Sequence, residues 1–152
     1  MELTKCVKES FAVIGIEGST EDGEGFVERL WNEAKSRLGE IERLAKKDEN
    51  GNILGVWGAM SDFSRSFKPW ENFEKGLYLA GAECEDTQPP EGWTKWIIPG
   101  YEFLRAECEN ENTFPEVIRY MKENGIELAG AVHDFTEPRT GKDYMYFPIK
   151  KL

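Results

Sequence analysis

The side chains that could do chemistry in this chain are few. It contains 1 histidine, His133, followed directly by Asp134. Neighbours on a strand point to opposite faces, so the two do not read as a catalytic pair. No serine or cysteine nucleophile motif accompanies the histidine, and a base without a nucleophile is weak grounds for catalysis. Asp134 reads better alone, as an acidic contact for a bound molecule. Glu83, Glu102 and Glu107 also fall on strand-like segments. Most strand acids are solvated, and a buried one needs a partner; Glu83 and Glu102 are the preferred candidates among them. Cys6, Cys84 and Cys108 match no zinc or redox spacing, so they read as reduced thiols.

Rings are abundant, with 5 Trp, 5 Tyr and 9 Phe. Trp57, Tyr78, Trp96, Tyr144 and Tyr146 lie on predicted strands. Each could be core, but as a set they favour a stacking pocket for a flat, hydrophobic or cationic molecule. Trp70 and Trp93 sit in connections beside prolines, where a tryptophan is either a lid or an anchor for its own loop.

The elements that must position these residues follow from periodicity. Residues 11–16 form an apolar, partly β-branched strand. Val27, Leu30, Trp31, Ala34, Leu38 and Ile41 recur at helical spacing and predict a helix of about 20 residues. Short strands are predicted over 53–60 and 77–82, then a break at Pro89-Pro90. Residues 96–104 read as one strand kinked at Pro99-Gly100. Thr113-Phe114-Pro115-Glu116 has the pattern of a capping box, and Gly125 stops the helix that follows. Strands over 127–135 and 144–150 complete the chain.

Each half therefore reads strand, helix, strand, strand. Ile53-Leu54-Gly55-Val56 parallels Leu128-Ala129-Gly130-Ala131, and Tyr78-Leu79-Ala80-Gly81 parallels Tyr146-Phe147-Pro148-Ile149. The expectation is one α+β domain over 1–152, with pseudo-repeats of about 1–86 and 93–152 and antiparallel sheets. Two such units would bury one another's sheet faces and leave a groove at their junction.

Charge narrows the partners. With 29 acids against 19 bases, the net charge of −10 repels nucleic acid, and no basic cluster offers phosphate contacts. No apolar run reaches the ~20 residues of a bilayer span, and the first residues lack a secretory pattern. A cytoplasmic location is the default, and no cofactor motif is found.

These segments together resemble the gyrase-inhibitor-like (GyrI-like) small-molecule-binding family. The likeness spans the chain and rests on Gly55-Val56-Trp57-Gly58, Tyr78-Leu79-Ala80-Gly81-Ala82-Glu83 and Ile98-Pro99-Gly100 before Tyr101-Glu102-Phe103. Gly125-Ile126-Glu127-Leu128-Ala129-Gly130 and Tyr146-Phe147-Pro148-Ile149-Lys150-Lys151 add to it. The resemblance implies two SHS2-like modules, as in the effector-binding domains of AraC-type and MerR-type transcription regulators. It implies a groove for hydrophobic, often cationic, aromatic compounds. Many relatives carry a pocket glutamate four residues before the closing strand's proline, where this chain has Tyr144. A second family acid falls near Asp134. No helix-turn-helix accompanies the domain, so a standalone binding protein for sensing or sequestration is expected. The alternatives are a hydrolase for electrophilic compounds in the same groove, or a gyrase-inhibitor-like module docking a protein partner. The expected ligand contacts are Trp57, Trp70, Tyr78, Glu83, Trp96, Glu102, Asp134, Tyr144 and Tyr146.

Overall fold

The computed structural model describes residues 2–152. Eight strands and two α-helices follow one another as β1 (Leu3–Lys8), β2 (Phe11–Ser19), α1 (Phe26–Ser36), β3 (Val56–Ser61), β4 (Leu77–Cys84), β5 (Thr94–Ile98), β6 (Tyr101–Glu107), α2 (Thr113–Glu123), β7 (His133–Thr136) and β8 (Asp143–Lys151). The strands form one antiparallel sheet in the order β1-β6-β8-β7-β3-β4-β2-β5. The α+β class is as expected.

Each half holds one strand more than the sequence pattern implied. The stretch 96–104 is two strands, because Pro99 has no N–H for a ladder and the chain changes partner there. β5 pairs with β2 at one end of the sheet, while β6 pairs with β1 and β8 at the other. β1 escaped notice because it is an edge strand with no buried residue, half of its residues facing solvent, Thr4 and Lys5 among them.

The helices also differ in detail. α1 spans 11 residues and is continued by a 3-10 turn, Leu38–Glu40, which still delivers Ile41 to the core. Gly39 within that turn weakens any continued α-helix. At α2 the expected capping box does not form: Asn112 is the cap residue, without a side-chain bond, and the Thr113 hydroxyl donates to the Asn110 carbonyl instead. Gly125 does stop α2. Its φ of 68 and the bonds Gly125 N–H to Lys122 O and Ile126 N–H to Met121 O form a Schellman motif.

The sheet has two apolar faces. One carries the helices: Ile14, Tyr78, Ala80 and Ala82 lie under α1, and Leu104, Ala106 and Phe147 lie under α2. The other closes on itself around an aromatic core, with Phe11 4.9 Å from Trp57 and Trp57 4.9 Å from Tyr146. Lys8 of β1 crosses this fold to pair with Glu83 of β4 at 3.0 Å, although their strands stand far apart in the sheet. No helix among the described residues is long and apolar enough to cross a membrane.

Candidate functional site

The open groove lies on the helix-bearing face, over the central strands. Alternation decides which residues line it. In register, Gly58 of β3 opposes Asp134 of β7, and Asp134 opposes Met145 of β8, so these three share a face. Tyr78 on β4 opposes Met60 on β3 and joins the same face.

At one end the groove is acidic. Tyr78 is almost fully buried, and its hydroxyl donates to Asp134 Oδ2 at 3.2 Å while accepting the Trp31 indole N–H at 3.0 Å. That is the only hydrogen bond of the Asp134 carboxyl among the described residues, leaving Oδ1 without a partner there. No Lys or Arg pairs with it among the described residues. Burial pushes this carboxyl up to about 6; the Tyr78 hydrogen bond lowers it and the charge of Asp143 raises it. Burial, and then the neighbouring Asp134, likewise hold the Tyr78 phenol well above its ordinary range. Trp31, Tyr78, Asp134, Asp143 and Cys108 surround a cavity of about 330 Å³.

Gly58 makes this arrangement possible. A Cβ there would run into the Tyr78 hydroxyl and press on Asp134 Cβ at 3.2 Å. Only the absence of a side chain lets the phenol reach across β3 to the carboxylate.

Beside Asp134, on the same face of the sheet, the groove turns apolar. Met60, Val132 and Met145 form its floor, with Phe114 at the start of α2 and Trp70 and Phe73 from the β3–β4 connection above. This cavity is about 190 Å³. Its roof is held in place. The Trp70 indole donates to Leu77 O at 2.9 Å, and Phe73 meets the Phe114 ring edge-on at 5.3 Å. Further back in the connection, burial raises the Asp62 carboxyl, but the Ser64 hydroxyl and the N–H groups of Lys68 and Ser66 outweigh this and bring it to about 2. Met145 of the apolar cavity stands directly across from Asp134 of the acidic one, and the two volumes together fall in the ~300–1,000 Å³ range common for small-molecule sites.

Of the nine expected contacts, the structure brings Trp70, Tyr78, Asp134 and, at its edge, Tyr144 to this groove. Trp57, Trp96 and Tyr146 are buried in the aromatic core on the opposite face. Trp96 donates its indole N–H to Glu17 at 2.8 Å. Tyr144 borders the mouth of the acidic end, but its ring lies beneath Arg105, whose guanidinium sits 3.8 Å from the ring centroid. Glu83, 4% exposed, is held between Lys8 and Lys46 at 3.0 and 3.6 Å. Glu102 lies on β6 opposite Lys150, remote from the central strands. Trp93 is an anchor: it donates to Glu40 at 3.1 Å, and Arg37 lies 5.3 Å from its ring centroid.

His133 faces away from Asp134 and is fully buried. Its Nδ1 accepts the Met60 N–H at 3.0 Å, and burial lowers it to about 3, so it stays neutral near pH 7. Trp31, Met60, Phe73, Phe114 and Met145 were not legible as site residues. Trp31 and Phe114 carry only the ordinary signal of helix residues, and the methionines that of strand core.

No family model matches the chain, and no curated protein matches it. Solved structures do. SAV2435 bound to tetraphenylphosphonium superimposes with a TM-score of 0.70 at 14% identity, covering 99% of this chain and 94% of that one. The C-terminal domain of EcmrR gives a TM-score of 0.66 at 8% identity, covering 99% and 98%. A hydrolase from Listeria innocua gives 0.54 at 12% identity, covering 98% and 92%. At these identities the likeness establishes the shared fold.

Proposed function

We propose that this chain is a small-molecule-binding protein for hydrophobic organic compounds carrying positive charge, acting by sensing or sequestration. The observation that carries this reading is Asp134, a half-buried carboxylate without a cationic partner among the described residues, on the floor of an aromatic groove. A partly desolvated carboxyl without a cationic partner is perturbed in its titration, and such groups cluster at functional sites. A lipophilic cation would supply the missing partner and fill the apolar end. The neighbour that holds tetraphenylphosphonium supports the same class of ligand.

The family reading is GyrI-like, with the chain as one domain of two SHS2-like repeats. It is supported by the strand order, in which β1-β6-β8-β7 mirrors β5-β2-β4-β3. Tetraphenylphosphonium and a panel of planar cationic dyes, titrated against tryptophan fluorescence, test the binding function. Saturable quenching through Trp31 and Trp70 is expected; a flat response across the panel from folded protein would overturn it.

Hydrolysis is a second use of the same groove, favoured by a carboxyl near 6, a range suited to general acid–base work at neutral pH. Turnover of an electrophilic substrate should then be lost in Asp134→Asn while neutral ligands still bind. Retained turnover in that variant would remove this reading.

A further inference from the structure

We infer that the hairpin of residues 70–75, in the β3–β4 connection, is a lid over the apolar cavity, and that Phe73 at its tip is kept to close on an uncharged ring of the ligand rather than to hold the fold. This rests on the binding function proposed above and adds how its apolar end opens and shuts.

The backbone singles out the tip. Asn72 and Phe73 have φ of 54 and 58, both in the left-handed region. The hairpin is closed by Glu71 N–H to Lys75 O and Glu74 N–H to Glu71 O, each at 3.0 Å. Two successive left-handed residues at such a tip are the usual place of an Asn-Gly pair. Asn72 suits its position, but a phenylalanine stands where a glycine would be unstrained. A strained residue persists where its surroundings over-determine it, and such residues gather at ligand clamps and switch segments.

Phe67, six residues earlier in the same connection, supplies the comparison. Its φ is 59, and there the fold accounts for the strain. Its N–H donates to Ser61 Oγ at 2.9 Å, its carbonyl accepts the Ala131 N–H at 2.8 Å, and its ring meets Trp96 edge-on at 5.8 Å. Phe73 is held by much less. Its N–H donates within the hairpin, to Trp70 O at 2.9 Å, and its ring is 46% exposed. What that ring does reach is the apolar cavity and Phe114, which is itself stacked on Phe147.

The hairpin is also hinged as a unit. Residues 71–75 are all exposed, and their backbone bonds run within the hairpin. Its base is fixed: the Gly76 N–H donates to Thr20 Oγ1 at 3.1 Å, the Gly76 carbonyl accepts the Thr20 N–H at 3.0 Å, and the Trp70 indole is tied to Leu77 O. Swinging the tip away from Phe114 breaks a ring contact but no sheet bond. Beneath it the cavity presents Met60, Val132 and Met145 and no charged group, so it takes an uncharged ring, to which the two thioethers can adapt.

The test is stopped-flow mixing of tetraphenylphosphonium, read by tryptophan fluorescence, with the parent, Phe73→Gly, Phe73→Asn and Phe67→Gly, beside urea unfolding of each. Glycine relieves the strain at either position. Phe73→Gly should therefore unfold at about the parent's urea concentration or above it, whereas Phe67→Gly, which loses core packing, should unfold below it. Tetraphenylphosphonium should leave Phe73→Gly about 10-fold or more faster than the parent, because one of its phenyl rings loses its cover. Phe73→Asn tolerates the left-handed backbone but has no ring, and should release the ligand as fast. A dissociation rate unchanged in both Phe73 variants overturns the lid. A Phe73→Gly protein as destabilised as Phe67→Gly assigns the ring to the fold and overturns it too. In either case binding to the parent leaves the proposed function standing; no saturable binding to the parent removes that function and the lid with it.

Discussion

Tyr78 stands between Trp31 and Asp134, accepting from the indole at 3.0 Å and donating to the carboxylate at 3.2 Å. The three residues come from α1, β4 and β7, so the bond chain ties the helix to the floor of the groove. It also fixes the carboxylate, with one oxygen occupied and the other open. Tyr78→Phe should weaken binding of a cationic ligand about 3- to 10-fold at pH 7, because the remaining carboxylate is harder to ionise and less well aimed. Isothermal titration of the variant checks this.

Gly58→Ala is expected to be more damaging to the site than its size implies. The added methyl displaces the Tyr78 hydroxyl, and the buried ring has little room to give way. Overpacking of this kind costs about 1–3 kcal/mol, and binding should fall about 10-fold or more with it. Denaturant melts and ligand titrations on the same sample report both quantities.

Asp134 should cost the protein stability near neutrality. Its carboxyl titrates at about 6 in the fold against 3.8 as the reference, so the folded chain holds the proton more tightly. The stability this contributes is full below about pH 4 and is lost as pH rises through 6. Asp134→Asn should therefore be more stable than the parent at pH 7.5, by about 1–2 kcal/mol after allowing for groove water, and should gain nothing at pH 4. His133 acts in the opposite sense. Held at about 3 against 6.5, it loses stability as pH falls below 6.5. The variant, deprived of the opposing Asp134 effect, should fall away more steeply on acidification than the parent. Urea unfolding at several pH values separates the two.

Sequence reasoning reached Asp134 as a lone strand acid and again through the family resemblance, and Tyr78 and Trp70 as rings, but could not sort the rings by face. The reason is physical. β4 is buried at all 8 positions because one side lies under α1 and the other in the aromatic core. With both faces apolar, the alternation that normally reveals a strand's inner side is absent. Trp57, Trp96 and Tyr146 were thus indistinguishable from groove residues until the sheet's curl placed them. Gly125 was legible because a left-handed helix stop leaves a residue-type signature. The split at Pro99 was half legible: the break showed, the change of partner strand did not.

Tyr144 occupies the position where many relatives carry an acid, yet its ring lies beside Arg105 rather than Asp134. A glutamate there would pair with that guanidinium. Tyr144→Glu should accordingly leave the ratio of dissociation constants for a cationic dye and its neutral isostere within about twofold of the parent's. A large shift toward the cation would place position 144 inside the ligand site.

Cation binding should itself depend on pH. The groups facing the Asp134 carboxyl are Tyr78 and Cys108, both neutral at pH 7, and Asp143; α1 contributes Trp31 and Val27 and no charge. Affinity for a permanent cation should fall as pH drops through about 6, approaching tenfold per unit below it, as Asp134 takes up a proton. A neutral isostere should show no such fall.

The most direct test of the account is calorimetric titration of tetraphenylphosphonium into the parent protein and Asp134→Asn at pH 7.5. Tetraphenylphosphonium cannot change its own protonation, so any difference belongs to the carboxylate. Saturable binding to the parent, at least about tenfold weaker in a folded Asp134→Asn, is the predicted result. Equal affinity in the two proteins, or none in either, would contradict it.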